Sequence, residues 1–445
     1  MTEELLNIAA DVMNRALKLG ATAADAMAVE RRDTEVSVRQ GVVEELVQSE
    51  AREIGLRVFA GHSSAMIAGS VLTAEALQRL AERCVAMAKL APPDPHSGMA
   101  EPSQLAQGTI DLDLISEDYP SADQLQEMAM AAEGVALSVA GVTRSNGAGA
   151  SASDRTIALV ASNGFARQFR RTGFGMSASV IGGEGTGMER DYDGTSANHF
   201  SDLETAEKIG RSAGERVVRR LNPQKLTSRT VPVIYDRRVA SSLLGHLSGA
   251  INGGAIARGV SFLKEDMGKA IFKPGISVID DPLRLRGMAS RGFDGEGLPV
   301  HRRALIDKGV LTGWILDLRS ARQLGLAPTG NGSRGLASPP SASTSNLHLE
   351  AGVDSPEDMM RAVGSGLLLT EFIGSSINSA TGDYSRGASG FWFENGEVAY
   401  PVSEITVAGN LRDMFLSLTP ANDLLFKSST NAPSCLIESM TIAGR

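Results

Sequence analysis

Four patterns in this sequence combine residue types and spacings that could do chemistry. Gly330-Asn-Gly-Ser-Arg-Gly335 matches G-x-G-x-x-G, in which glycines let the backbone close on a pyrophosphate at a helix N-terminus. That use needs a strand before the glycines and a helix after them. Ala327-Pro328 precedes the motif and Pro339-Pro340 follows it, so a bent loop is predicted instead of a nucleotide site. Gly210-Arg-Ser-Ala-Gly214 matches the nucleophile elbow, which exposes its serine on a sharp strand-to-helix turn. Ser212 falls inside a helical pattern, where Gly210, Ala213 and Gly214 are better explained as letting helices pack closely. The six histidines, His62, His96, His199, His246, His301 and His348, show no H-x-x-x-H or H-E-x-x-H spacing that would set two imidazoles around one zinc ion. A site built from distant residues, for example His246 with Cys435, stays open, although isolated histidines are commoner as structural groups. Finally, Arg291-Gly-Phe-Asp-Gly-Glu-Gly-Leu-Pro299 places Asp294 and Glu296 beside Arg291. Paired carboxylates can pass protons, but alternating glycine and acid is also ordinary turn chemistry, and the turn is the better reading.

Composition narrows the partners. The 445 residues, 42% of them hydrophobic, can fill two or three cores. Lys and Arg total 43 against 52 Asp and Glu, and the resulting net charge of −9 repels a phosphate backbone. The basic runs Arg167 to Arg171 and Arg216 to Arg220 are short and interleaved with other residues, so they read as solvated faces and no nucleic-acid partner is expected. No stretch approaches the ~18 apolar residues of a membrane span. Met1-Thr-Glu-Glu4 lacks the basic start of a signal peptide, and Cys84 and Cys435 stand far apart without CxxC spacing. A cytoplasmic location is expected.

The elements that must position these groups follow from periodicity. Leu5, Leu6, Ala9, Met13, Ala16 and Leu17 recur at helical spacing and Gly20 stops the helix. Thr34 to Arg39, Val42 to Gln48, Glu53 to Phe59 and Ala65 to Ala68 read as short strands, turned at Gln40-Gly41 and at Ala60 to Ser63. Helices are predicted over Thr73 to Leu90 and Ser121 to Ser138, strands over Val142 to Val180 around Ser162-Asn-Gly164, and a helix through Leu221 opened by a capping box at Ser201-Asp-Leu-Glu204. Asn222-Pro223 to Thr230 reads as a linker, which sets an N-terminal and central region at 1–222 and a strand-rich domain at 231–445, beginning with the buried strand Val231 to Tyr235. Hairpins turned at Lys308-Gly309 and Asn395-Gly396 suggest a large antiparallel, barrel-like sheet there. The predicted class is α+β.

Three blocks then carry a resemblance: Ser290 to Pro299, Ala327 to Gly332, and Phe393-Glu-Asn-Gly-Glu-Val-Ala-Tyr-Pro-Val-Ser-Glu-Ile-Thr-Val-Ala-Gly409. In this order they resemble the TldD/PmbA (TldE) family, and the likeness runs over nearly the whole chain. One branch of that family carries zinc on an H-E-x-x-x-H helix with a cysteine near the C-terminus, a set able to activate a metal-bound water. The corresponding segment here is Ser242 to Gly254, which puts Leu244, Gly245 and Gly249 at the His, Glu and His positions, while Ala432 stands at the cysteine position and Cys435 three residues later. Leu244, Gly245, Gly249 and Ala432 cannot ligate, and Gly382 to Trp392 is similar to the PmbA branch, which lacks the site.

The resemblance implies a non-catalytic TldE/PmbA-type subunit without its own metal. Its expected partner is a TldD-like homologue that holds zinc, the pair forming a protease that takes unfolded or extended peptides into a channel. Arg291, Asp294, Glu296, Asn331 and Arg334 are the candidates for lining that channel, because family blocks recur there. Two alternatives remain beside it: a homodimeric binding or regulatory protein acting without proteolysis, for which the family's older name, modulator of DNA gyrase, speaks, and an autonomous hydrolase using His246, Cys435, Asp294 and Glu296.

Overall fold

A computed structural model describes residues 2–444. The first half is built on one antiparallel sheet of six strands. Its strands are β1 (Ala23–Arg39), β2 (Val42–Ala60), β3 (Ser63–Gly69), β4 (Val142–Ala161), β5 (Ala166–Gly182) and β6 (Glu189–Ala197), in the order β3-β2-β1-β4-β5-β6. Gln40 and Gly41 both take positive φ, 54° and 73°, as a two-residue hairpin turn requires. The short strands expected over residues 34–59 are in fact parts of two strands of 17 and 19 residues. Ala23 to Asp33 is alanine-rich and charged and shows little strand propensity, but β2 and β4 pair with it on both sides.

Helices cover one face of this sheet. Helix α1 (Thr2–Lys18) and α2 (Ala74–Leu90) bury Ala24, Ala26, Ala28, Ile54, Leu56 and Val58. Helices α3 (Ala122–Leu137) and α4 (Ala206–Arg219) bury Val36, Val38, Ala148, Ala150, Phe174 and Met176 further along. The caps of α2 at Thr73 and α3 at Ser121 lie where the sequence places those helices. The capping box expected at Ser201 to Glu204 is not the cap of α4: Thr205 Oγ1 accepts the Lys208 amide at 3.3 Å, and Phe200–Asp202 form a separate 3₁₀ turn. Glu204 instead makes ion pairs to Lys208 and, at 2.7 Å, to Lys427. Ser212 lies within α4, and a Cβ at Gly210 would stand 2.2 Å from the Ala132 carbonyl oxygen, so the glycines of the elbow-like motif serve helix packing.

The second half begins with β7 (Arg229–Tyr235) and α5 (Arg237–Ala250), followed by α6 (Gly253–Ala257), β8 (Val278–Asp280), β9 (Arg303–Asp307) and β10 (Val310–Leu311). Then come α7 (Leu318–Leu324), β11 (Gly332–Ser333), β12 (Ser341–Ala342), β13 (Leu347–Leu349) and α8 (Pro356–Val363). The chain ends with β14 (Gly366–Ile377), β15 (Asp383–Glu394), β16 (Glu397–Asn410), α9 (Leu411–Ser417), β17 (Leu418–Pro420), β18 (Thr430–Asn431) and β19 (Cys435–Ala443). Strands β16, β15, β14, β7 and β19 pair in that order, and Thr406 to Ala408 of β16 pair with β19, which closes a barrel. All its pairings are antiparallel except β14 with β7. The hairpins at Lys308-Gly309 and Asn395-Gly396 form as expected, but in two sheets: β9–β10 belongs to a second, β10-β9-β8-β13-β18. A mixed α+β architecture with a barrel-like C-terminal half is what the sequence predicts.

The face of the six-stranded sheet without helices looks at the C-terminal half. Met27, Val29, Leu159 and Phe165 on it pack with Phe293 and Leu336. A Cβ at Gly55 would lie 2.1 Å from the Leu336 carbonyl oxygen, so the two halves meet backbone to backbone there.

Candidate functional site

Helix α5 follows directly on a barrel strand, with Asp236 capping it through the Arg238 amide at 2.9 Å. Leu244 points into the C-terminal core, while Gly245 and Gly249 are exposed on another face with open space beside them. Ala432 is buried at the wall of a pocket of about 150 Å³ that also contains Ser241, one turn before Gly245 on the same helix. The same pocket is ringed by Arg216, Arg237, Arg238 and Lys427 with Asp193 as its acid. An aliphatic chain, two glycines and an alanine offer a zinc ion no donor, and the cationic rim opposes one, so the four positions do not fit the metal and no step is derived through it.

The distant histidine and cysteine do not combine either. The His246 ring meets Tyr384 edge-on, centroids 5.7 Å apart, and burial lowers its pKa. Cys435 is fully buried and donates to the Pro433 carbonyl at 3.2 Å, and burial pushes its thiol well up, away from a reactive thiolate. Among the described residues no three of His, Cys, Asp and Glu are grouped so as to hold a metal ion.

The Gly-rich loops converge at the junction of the halves. Asp294 Oδ1 accepts the amides of Glu296 at 2.8 Å and Leu298 at 3.0 Å, and its Oδ2 accepts that of Gly332 at 2.8 Å. Any side chain at Gly332 would displace these carboxylates, since its Cβ would stand 2.8 Å from Glu296 Oε2. The G-x-G-x-x-G segment is therefore a bent loop that lets two acids approach; the short strand β11 lies within it, and a bend at 336–338, not a helix, follows it. Glu296 Oε2 accepts the first amide of α7, Leu318, at 2.8 Å. Across the junction, Arg57 of β2 donates to Asp25 of β1 at 2.7 Å and lies 4.0 Å from Glu296, and Arg334 closes on Asp25 from the other side.

These groups are inside the protein. Burial pushes the Glu296 carboxyl up to about 8 against the pull of Arg57, with Asp294 adding to the rise. Burial also acts to raise Asp25, but Arg334 and Arg57 together hold it below the usual carboxylate range. Burial raises the Asp294 carboxyl as well, against three backbone amides and Arg291, so the guanidiniums of Arg57 and Arg334 are matched chiefly by Asp25. Asp294, accepting the amides of Glu296 and Leu298, does the turn chemistry expected of it, but the acid pair is also one half of an ion cluster between the two halves, which the turn reading does not contain. Its partners Asp25 and Arg57 carry no local signal in the sequence, because only the pairing of β1 with β2 and the docking of the halves bring them there.

Of the five channel candidates, Asp294, Glu296 and Asn331 are buried and the Arg334 side chain is 1% exposed, so none of these four meets a passing chain in this structure. Asn331 is held by Asp280 at 2.9 Å and by the Ser343 carbonyl at 3.0 Å. Arg291 alone opens onto a cleft, of about 480 Å³, between β5 and the C-terminal loops. Its opposite wall is Phe169 and Arg171, which sequence reading treats only as a solvated strand face.

Comparison with known proteins agrees with this architecture. Models of the PmbA/TldA metallopeptidase family match as domain 1 over residues 24–88, as the central domain over 115–221 and as the C-terminal domain over 228–444. The chain is 37% identical over 412 residues to the metalloprotease PmbA of Escherichia coli O157:H7, covering 92% of this chain and 90% of that one. It is 33% identical to a PmbA homologue of Haemophilus influenzae, covering 99% and 96%. A crystal structure of a candidate modulator of DNA gyrase from Bacteroides thetaiotaomicron superposes with a TM-score of 0.92 at 28% identity, over 99% of this chain and 98% of that one. TldE of Thermococcus kodakarensis shares the fold, with a TM-score of 0.87 at 21% identity over 98% of this chain and all of its own. With family models across most of its length and close relatives called PmbA, this chain belongs to the PmbA/TldD metallopeptidase family, in its PmbA (TldE) branch.

Proposed function

We propose that this chain is a non-catalytic, cytoplasmic subunit of a heteromeric zinc metalloprotease that processes or degrades unfolded peptides. A TldD-like homologue would hold the zinc and cut, and this chain would hold the substrate. The observation that carries the reading is α5: the family fold is kept, yet Leu244 is packed into the core, Gly245 and Gly249 have no side chain, and Ala432 has no donor. The helix-free sheet face, with its Gly- and Ser-lined hollow at Ser151, Gly175, Ser177 and Ser196, gives an extended chain a surface that its backbone can approach.

The test is metal analysis and peptide cleavage on the purified chain, alone and with a co-expressed zinc-bearing homologue. Less than stoichiometric zinc in the chain, and cleavage of an unfolded peptide only with the homologue, are expected. Robust zinc-dependent cleavage by the chain alone would sink the proposal. Recovery from native extract as a homodimer without any homologue favours instead a regulatory protein.

A further inference from the structure

Register places three arginines in one row across the helix-free sheet face. Arg31 of β1 is opposite Arg155 of β4, and Arg155 is opposite Arg171 of β5. Directly opposed residues point to the same side of a sheet, and like charges so placed repel. Arg31 is balanced by Glu53 at 3.6 Å and Asp33 at 4.0 Å. Among the described residues neither Arg155 nor Arg171 makes an ion pair; Arg171 spends its donors on neutral acceptors, Asn198 Oδ1 at 3.0 Å and the Met288 carbonyl at 2.5 Å.

A fourth arginine comes from the C-terminal half. Arg291 lines the same cleft as Arg171, and its Nε and Nη2 are buried with no hydrogen-bond partner. Buried unsatisfied guanidinium donors are costly, and they persist where something else satisfies them. Around them stand the hydroxyl-bearing residues Ser333, Ser343, Thr344 and Thr430. Among the described residues no acid lines the cleft; Asp280 and Asp294, outside its lining, act on Arg291, which offsets part of the charge and suits a monoanion better than a dianion.

We infer that this cleft is an oxyanion subsite in which Arg171 and Arg291, with Arg155 at the rim, take the C-terminal carboxylate of an extended peptide. The direction of the chain follows from the face itself. From Arg155 the same-side residues on β4 are Ser153 and Ser151, and from Arg171 on β5 they are Gly173, Gly175 and Ser177. Those positions lead into the Gly- and Ser-lined hollow, so a peptide lying there ends at the arginines. A guanidinium matches a carboxylate through two parallel N–H donors. The assignment rests on the peptide-holding role proposed above and names the end of the peptide that is held.

The experiment is fluorescence anisotropy on the full chain, with one unfolded peptide labelled at its N-terminus and made with a free or an amidated C-terminus. Charge-assisted hydrogen bonds of this kind predict that amidation weakens binding about tenfold, and that inorganic phosphate competes only weakly. Arg291→Gln and, separately, the exposed Arg155→Gln should shrink the difference between the two peptides, while Arg291→Lys restores part of it. Equal affinity for the two peptides overturns the subsite and leaves peptide holding intact. Failure of both peptides to bind overturns both. Displacement of the free-acid peptide by phosphate at its own tight affinity, without discrimination between the peptides, assigns the arginines to a small inorganic anion and overturns the carboxylate assignment.

Discussion

Two charge clusters share the helix-free face of the N-terminal sheet, and they are built on opposite terms. At one end, Asp25 is gripped by Arg57 and Arg334, with Asp294 and Glu296, both pushed up by burial, completing the set. Further along β1 begins the row Arg31, Arg155 and Arg171, whose last member shares a cleft with Arg291, and among the described residues only Arg31 of the row makes ion pairs with carboxylates. Charge withdrawn from water is tolerated when it is paired and hydrogen-bonded. The balanced cluster, in which Arg334 keeps two buried donors without a partner but is ion-paired to Asp25, therefore fastens the two halves of the protein together. The unbalanced one is left incomplete by the fold, and a ligand can complete it.

Breaking the balanced cluster should have the largest effect. Arg57→Ala leaves Asp25 short of a partner in the interior, and removing one member of a buried pair costs about 3 to 5 kcal/mol. Chemical denaturation would read this as a lower midpoint. A loss under about 1 kcal/mol would show that Arg334 alone can hold Asp25, and would remove the distinction between the clusters.

The pH dependence of Glu296 comes next. Its folded pKa of about 8 lies above the ordinary carboxylate value of 4.5, so between those values the folded state binds the proton that the unfolded state has lost. Its contribution is fully present below about pH 4.5 and is lost as pH rises towards 8. Glu296→Gln, which keeps an acceptor for the Leu318 amide, should therefore gain in melting temperature relative to the unmodified chain as pH rises from 5 to 8, and hold that lead above 8. A difference that is flat with pH would mean Glu296 is ionised throughout and paired with Arg57.

The unbalanced cluster should respond least. Arg155→Gln removes an exposed charge without an ion pair and should change stability by no more than about 0.5 kcal/mol. Destabilisation of about 2 kcal/mol or more would make the arginine row part of the scaffold.

Much of the architecture was legible because local chemistry sufficed. Apolar spacing in α1, the capping residues Thr73 and Ser121, and the positive-φ pairs at Gln40-Gly41, Lys308-Gly309 and Asn395-Gly396 act within a few residues. The alanine-rich start of β1 was not legible, since its strand character comes from neighbours on both sides that are distant in sequence. The start of α4 was misplaced for a related reason: Ser201 to Glu204 has capping-box chemistry, but Lys427 engages Glu204 and Thr205 takes the cap. Of the site, the vacant donor positions Leu244, Gly245, Gly249 and Ala432 could be found by family likeness, and the acids Asp294 and Glu296 by composition.

By itself, then, the sequence determined which side chains could never ligate a metal, which glycines had to sit in turns, and which helices would be amphipathic. These are properties of a residue and its near neighbours. Only the tertiary structure decided that Asp294 and Glu296 serve an internal ion cluster with Asp25 and Arg57, and that Arg155, Arg171 and Arg291 come together with no ion pair among the described residues. Charge balance depends on what surrounds a group in space, and sheet register and the docking of the two halves assemble those surroundings from residues far apart along the chain.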